Sequence, residues 1–148
     1  PKPKSKLIKP GVSIGGVKLG MDAQKATQLW GTGSNCNEAA VGRCTWAGTA
    51  KQGSAYFEVK DGKVAEVGLV IGQRANGVPI YSGPLSKWKD KKKIGLGSTQ
   101  QATAKAYPKS FGNGGGLQLN SGKRATIWTS SLGRDESILI GSAAAFSS

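Results

Sequence analysis

Three patterns in this chain of 148 residues have the residue types and spacing to do chemistry. Ser86-Lys87-Trp88-Lys89 spells Ser-x-x-Lys, in which a lysine amine takes the proton of a serine nucleophile. It falls in a charged stretch with no helical period to hold the pair, and neither Ser-Asp-Asn nor Lys-Thr-Gly accompanies it. Gly112-Asn113-Gly114-Gly115-Gly116 is rich enough in glycine to wrap a phosphate, yet no Gly-Lys-Ser/Thr follows, so it reads as a loop. Cys36 and Cys44 are close enough in sequence to bridge a tight loop, the reading preferred over two buried thiols. Such a bridge would stabilise the fold by roughly 2–3 kcal/mol and persists mainly outside reducing compartments.

The absence of histidine removes Ser-His-Asp and Cys-His catalysis, and two cysteines alone cannot fill a tetrahedral zinc shell. The eight acids scatter over turns and strand edges, which disfavours paired-carboxylate chemistry. A non-enzymatic protein without cofactor or metal is expected. Its longest uncharged apolar stretch, Val67 to Ile71, is far below the roughly 20 residues of a membrane helix. The chain starts with Pro1-Lys2-Pro3-Lys4 rather than an apolar signal segment, as expected of a mature chain. The cysteine pair is what points to a secreted or envelope-tethered protein.

The net charge is +13, and nine of the 21 cations lie in two segments. Lys2, Lys4, Lys6 and Lys9 are in the proline-containing start, and Lys87, Lys89, Lys91, Lys92 and Lys93 crowd a second run. Such runs read either as solvated, extended chain or as a surface for a polyanion. Trp88 within the run has the ring to stack on a base or enter a headgroup layer.

The elements that must position these residues are marked by a likeness at a spacing of 77 residues. Val17-Lys18-Leu19-Gly20-Met21-Asp22 leads to Trp30-Gly31, and Ile94-Gly95-Leu96-Gly97-Ser98-Thr99 leads to Tyr107-Pro108. Asp22 and Thr99 are placed to cap helices, with Ser98 and Gln101 as an alternative capping box. Leu19, Ala23, Ala26, Leu29 and Trp30 share one apolar face. Asp61-Gly62 signals a hairpin between strands around Phe57 to Lys60 and Val64 to Ile71, and Asn120-Ser121-Gly122 signals another.

The pattern predicts an α+β chain of two tandem helix-plus-antiparallel-sheet repeats, with helices on one face of the sheet. A basic tail would span 1–13, the repeats 14–72 and 94–141, a Lys-rich linker 73–93, and a C-terminal tail 142–148. Period-two alternation sends Tyr56 and Trp128 away from Phe57 and Ile127. With Trp46, they are the expected partner-binding aromatics on an open sheet face.

The Leu19-Gly20-Met21-Asp22 helix start, Trp30-Gly31, Asn35-Cys36, Cys44, Tyr56-Phe57 and Leu96-Gly97-Ser98-Thr99 together resemble the β-lactamase inhibitor protein family. The helix start is also similar to that of small outer-membrane assembly lipoproteins. The inhibitor resemblance implies a secreted fold of two tandem units whose concave surface grips a partner protein, with an acidic loop residue in the enzyme's active site. The matching position here is Lys51, followed by Gln52 where an aromatic is expected, so inhibition of such an enzyme is not carried over. The leading expectation is an exported protein-binding module using Trp46, Lys51, Tyr56 and Trp128. The alternative is binding to anionic cell-wall polymer or a membrane surface through Lys87 to Lys93 and the tail, with nucleic acid disfavoured.

Overall fold

A computed structural model describes residues 3–34, 42–47 and 52–146. Three two-residue strands, β1 (Ile8–Lys9), β2 (Ser13–Ile14) and β3 (Val17–Lys18), form a small meander that leads into α1 (Ala23–Trp30). Next come β4 (Gly42–Ala47), β5 (Ser54–Lys60), β6 (Lys63–Val70) and the short pair β7 (Gly72–Gln73) and β8 (Pro79–Ile80). After a single 3-10 turn at Pro84–Lys87 the chain makes α2 (Gln100–Ala106), β9 (Phe111–Asn113), β10 (Gly116–Ser121), β11 (Arg124–Ser131) and β12 (Arg134–Ser142). It closes with one turn of helix, α3 (Ala143–Phe146). No helix among the described residues is long and apolar enough to cross a membrane.

The expectation of two helix-plus-sheet repeats is corrected. The molecule is mainly β, and seven of its strands form one sheet in the order β4-β5-β6-β12-β11-β10-β9, apart from the small sheets β1-β2-β3 and β7-β8. The two halves join where β6 runs against β12, with Val67 opposite Ile140 and Leu69 opposite Ile138. All four side chains are buried, so this seam lies within the hydrophobic core.

What recurs at 77 residues is smaller than a folded unit: a clasp between a helix start and a hairpin. In the first, Gly20 N donates to Val64 O (2.8 Å), Val64 N to Met21 O (2.8 Å) and Ala23 N to Gly62 O (2.9 Å). In the second, Gly97 N donates to Asp135 O (2.8 Å), Asp135 N to Ser98 O (2.8 Å) and Gln100 N to Gly133 O (2.9 Å). The hairpin tips match too, Asp61-Gly62 at φ 54° and 75° and Leu132-Gly133 at φ 54° and 78°. Two successive left-handed residues make the turn that follows the strand twist.

Leucine is a poor occupant of that conformation, and Leu132 is 83% exposed, so it gains little packing in return. Leu132→Asn is therefore expected to stabilise the fold by about 0.5–1 kcal/mol, read as a higher denaturant midpoint. A lowered midpoint would mean that Leu132 has a contact worth more than its backbone strain.

One face of the sheet carries the core. A cross-strand row runs Leu117, Trp128, Ile138, Leu69, Ala55, Trp46, all on that face. Above it Trp30 meets Trp46, Phe57 and Trp88 at centroid distances of 5.1, 6.0 and 5.9 Å. The indole N–H of Trp30 donates to Gly15 O (3.0 Å), holding the β2–β3 turn over the helix. A bulge in the β5–β6 pairing sets Val64 inward and leaves Ala65 exposed, where strict alternation with Val67 would turn Ala65 inward.

Candidate anion-binding surface

The lysine run is an ordered, core-anchored segment rather than loose chain. Leu85, Trp88, Ile94 and Leu96 are buried in the same core as the sheet, and Ile8 N donates to Lys89 O (2.9 Å). Trp88, expected to stack on a ligand, is instead packed against Trp30, and that expectation is corrected. Apolar side chains point in, and the lysines between them are left facing out. Lys87, Lys91, Lys92 and Lys93 are exposed and Lys89 is half-buried.

Asp90, the one acid of the run, is buried and faces inward. Its Oδ1 accepts from Lys92 N (2.8 Å) and Ile94 N (3.0 Å), and its Oδ2 accepts from the Tyr107 hydroxyl. Both oxygens are thus spent inside the fold, closing a tight turn in which Lys93 adopts φ 66°. Burial, reinforced by the bond to Asp90, pushes the Tyr107 phenol well above its ordinary range. Lys92 Nζ donates to Ala106 O (2.6 Å) at the end of α2 and lies 4.7 Å from the Tyr107 ring centre. Lys92 is therefore partly engaged in holding α2. Lys87, Lys89, Lys91 and Lys93 have no carboxylate partner among the described residues.

Beside this ridge lies an open groove of about 480 Å³, lined among others by Tyr81, Ser82, Lys89, Ser98 and Arg134. No carboxylate among the described residues lines it. Ser86 also lines it, but the hydroxyl donates to Gly83 O (2.5 Å), without a hydrogen bond to Lys89 that would activate a nucleophile. A second depression of about 380 Å³ sits at the first clasp, around Lys18, Asp22, Lys25 and Lys63. There Lys63 is paired with Asp22 at 2.7 Å, and that bond holds the Asp22 carboxyl below its ordinary range.

The aromatics expected on the open face are placed otherwise. Trp46 and Trp128 lie on the core face, Trp128 wholly buried and stacked on Tyr107 at 5.0 Å. The alternation holds there but in the opposite phase, because Ile127 is the residue facing away from the core. Tyr56 does lie on the face away from Phe57, yet it is only 4% exposed. Its ring lies flat over Gly68, where an added Cβ would come within 2.6 Å of it. The hydroxyl donates to Glu66 Oε2 (2.6 Å) and Arg43 stacks on the ring at 4.1 Å. None of the three is presented as an exposed anchor. Lys51 and Cys36 lie outside the described residues; Cys44 is buried in the core face of β4.

Sequence reasoning missed Arg134, Ser98, Ser82 and Tyr81. A signal was present in the 77-residue likeness, where Asp22 aligns with Thr99.

No family model matches the chain, and no curated protein matches it either. Among solved structures, a cysteine-rich secretory protein from Staphylococcus aureus matches with a TM-score of 0.55 and 12% identity. That alignment covers 94% of this chain and 49% of the other. An extracellular protein containing a SCP domain from Bacillus anthracis matches with a TM-score of 0.46 and 12% identity, over 84% of this chain and 44% of that one. This chain thus spans about half the length of either structure. The resemblance to β-lactamase inhibitor proteins is corrected accordingly: the likeness found is one of fold, to a secretory protein of this kind.

Proposed function

We propose that this is an exported, non-catalytic protein that holds anionic polymer of the cell envelope on an ordered lysine ridge. The observation that carries the reading is the inward turn of Asp90, which removes the only negative charge from the ridge and fixes its backbone. Lysines held in place lose less freedom on binding than lysines on loose chain, and their fields add along the surface. Export is supported by the Cys36–Cys44 pair, which we read as a disulfide, and by the fold likeness to a secretory protein.

The test is binding of a phosphodiester-linked wall polymer across a salt series. Lys87→Gln/Lys91→Gln/Lys93→Gln is expected to weaken binding at least tenfold, on the order of 1.4 kcal/mol, and to flatten the log–log salt slope by about 2. Unchanged affinity and slope in the triple variant would remove the ridge from the mechanism.

A second reading is protein docking on the sheet face away from the core, beside the part that Phe146 of α3 covers at Gly141. Val70, Ile127 and Leu139 are half-buried there and lie outside the core cluster. Arg43, Glu58 and Glu66 border them, Arg43 bonded to Glu58 at 2.5 Å. The anchors of that reading would be these apolar residues, since Trp46 and Trp128 face the core.

A further inference from the structure

The two clasps provide an internal comparison. In both, a cation on the hairpin strand faces the residue that precedes the helix: Lys63 bridges to Asp22, and Arg134 bridges to Thr99. At the first clasp the carboxylate of Asp22 neutralises its cation directly. At the second the corresponding residue is threonine. Its hydroxyl accepts from Ala102 N (3.1 Å) and carries no charge to offer.

Arg134 is left with one donor on Gly97 O (2.8 Å) and no acid partner among the described residues. Lys89 reaches the same groove from the ridge, and Ser82 and Ser98 add hydroxyls. Ser98 Oγ accepts from Gly95 N (3.0 Å), which leaves its proton free to donate. Glu136 acts on Tyr81 at the rim but does not line the groove.

We infer that the groove between Arg134 and Lys89 binds a tetrahedral oxyanion, a phosphate group, which pairs with Arg134 as the Asp22 carboxylate pairs with Lys63 at the other clasp. An arginine with a free fork of donors, a lysine and two hydroxyls match the several acceptor oxygens of such a group. The inference deepens the polymer-binding reading and rests on it for the polymer, with Lys89 belonging to both surfaces. The phosphate could be free or part of a phosphodiester chain, and the probes below separate the two.

The experiment follows backbone amide shifts of the full chain during titration with inorganic phosphate, and separately with a short phosphodiester oligomer. Saturable shifts at Ser82, Ser98 and Arg134 are expected. Shifts with both probes assign a site for the free ion, and shifts with the oligomer alone assign a polymer subsite. Thr99→Asp supplies the missing carboxylate at the position that Asp22 holds before α1, a helix that forms without a side-chain cap bond, so it should weaken binding at least about tenfold without unfolding the chain. Arg134→Gln should do the same by removing the cation. The triple lysine variant retains Lys89 and Arg134, so it should keep the groove shifts while losing polymer affinity. If that variant binds polymer normally while Thr99→Asp loses phosphate, the ridge reading fails and the groove stands. No saturable shift at the three amides with either probe, or wild-type binding of both probes by Thr99→Asp, would overturn the groove.

Discussion

Trp30→Ala should cost about 3–5 kcal/mol, the largest loss expected of any single substitution outside the backbone turns. Trp30 is wholly buried and touches three other aromatic rings, which come from β4, β5 and the lysine-bearing segment. Its removal opens a cavity where the sheet, α1 and the ridge meet, and it frees the Gly15 carbonyl from its donor. Domains of this size have only about 5–15 kcal/mol in hand, so the melting temperature should fall by roughly 10 °C or more. Trp30→Phe keeps most of the volume and loses the indole bond, for about 1 kcal/mol beyond its smaller packing loss. Trp30→Ala melting within a few degrees of wild type would show that the ridge is not anchored through this ring.

The second large effect is a dependence of stability on pH that centres on Asp135. This carboxyl is fully buried beneath α2, accepting from Thr103 Oγ1 (2.5 Å) and Ser130 Oγ (3.1 Å). Burial raises it from 3.8 to about 6, against the opposing pull of those two hydrogen bonds. Because the folded chain holds this proton more tightly than the unfolded chain, the stabilisation is fully present below about pH 4. It is lost as the pH rises through about 6. A shift of that size is on the order of 3 kcal/mol. Glu66, raised chiefly by its burial, contributes in the same direction, so the clean measurement is a difference. Denaturation of wild type and Asp135→Asn between pH 4 and 7 should show the variant gaining on wild type as the pH rises. Parallel curves would show that Asp135 titrates normally in the fold.

Local chemistry was legible from the residues, and long-range pairing was not. Asp61-Gly62 announced its hairpin because two left-handed residues leave few alternatives, and Thr99 capped its helix as its hydroxyl suggested. Asp22 has the side chain of a cap as well, yet its carboxylate makes no cap bond and pairs with Lys63 across 41 residues. The union of β6 with β12 leaves no local trace, since a buried strand reads alike beside any neighbour.

Alternation separates the two sides of a strand without saying which is covered. The pattern around Trp128 and Ile127 therefore fits either phase, and the fold takes the one that buries Trp128. In the ridge the lysines drew attention from Leu85, Trp88, Ile94 and Leu96, the apolar positions that pin it to the core. The groove escaped notice because its meaning lies in a missing charge, visible only when the two clasps are set side by side.

The most direct measurement of the account is a map of amide perturbations across the whole chain on adding a phosphodiester wall polymer at moderate salt. Perturbations confined to residues 87–93 together with Ser82, Ser98 and Arg134 are the predicted result. Perturbations centred on Val70, Ile127 and Leu139, with the lysine ridge unchanged, would contradict it and hand the function to the opposite face of the sheet.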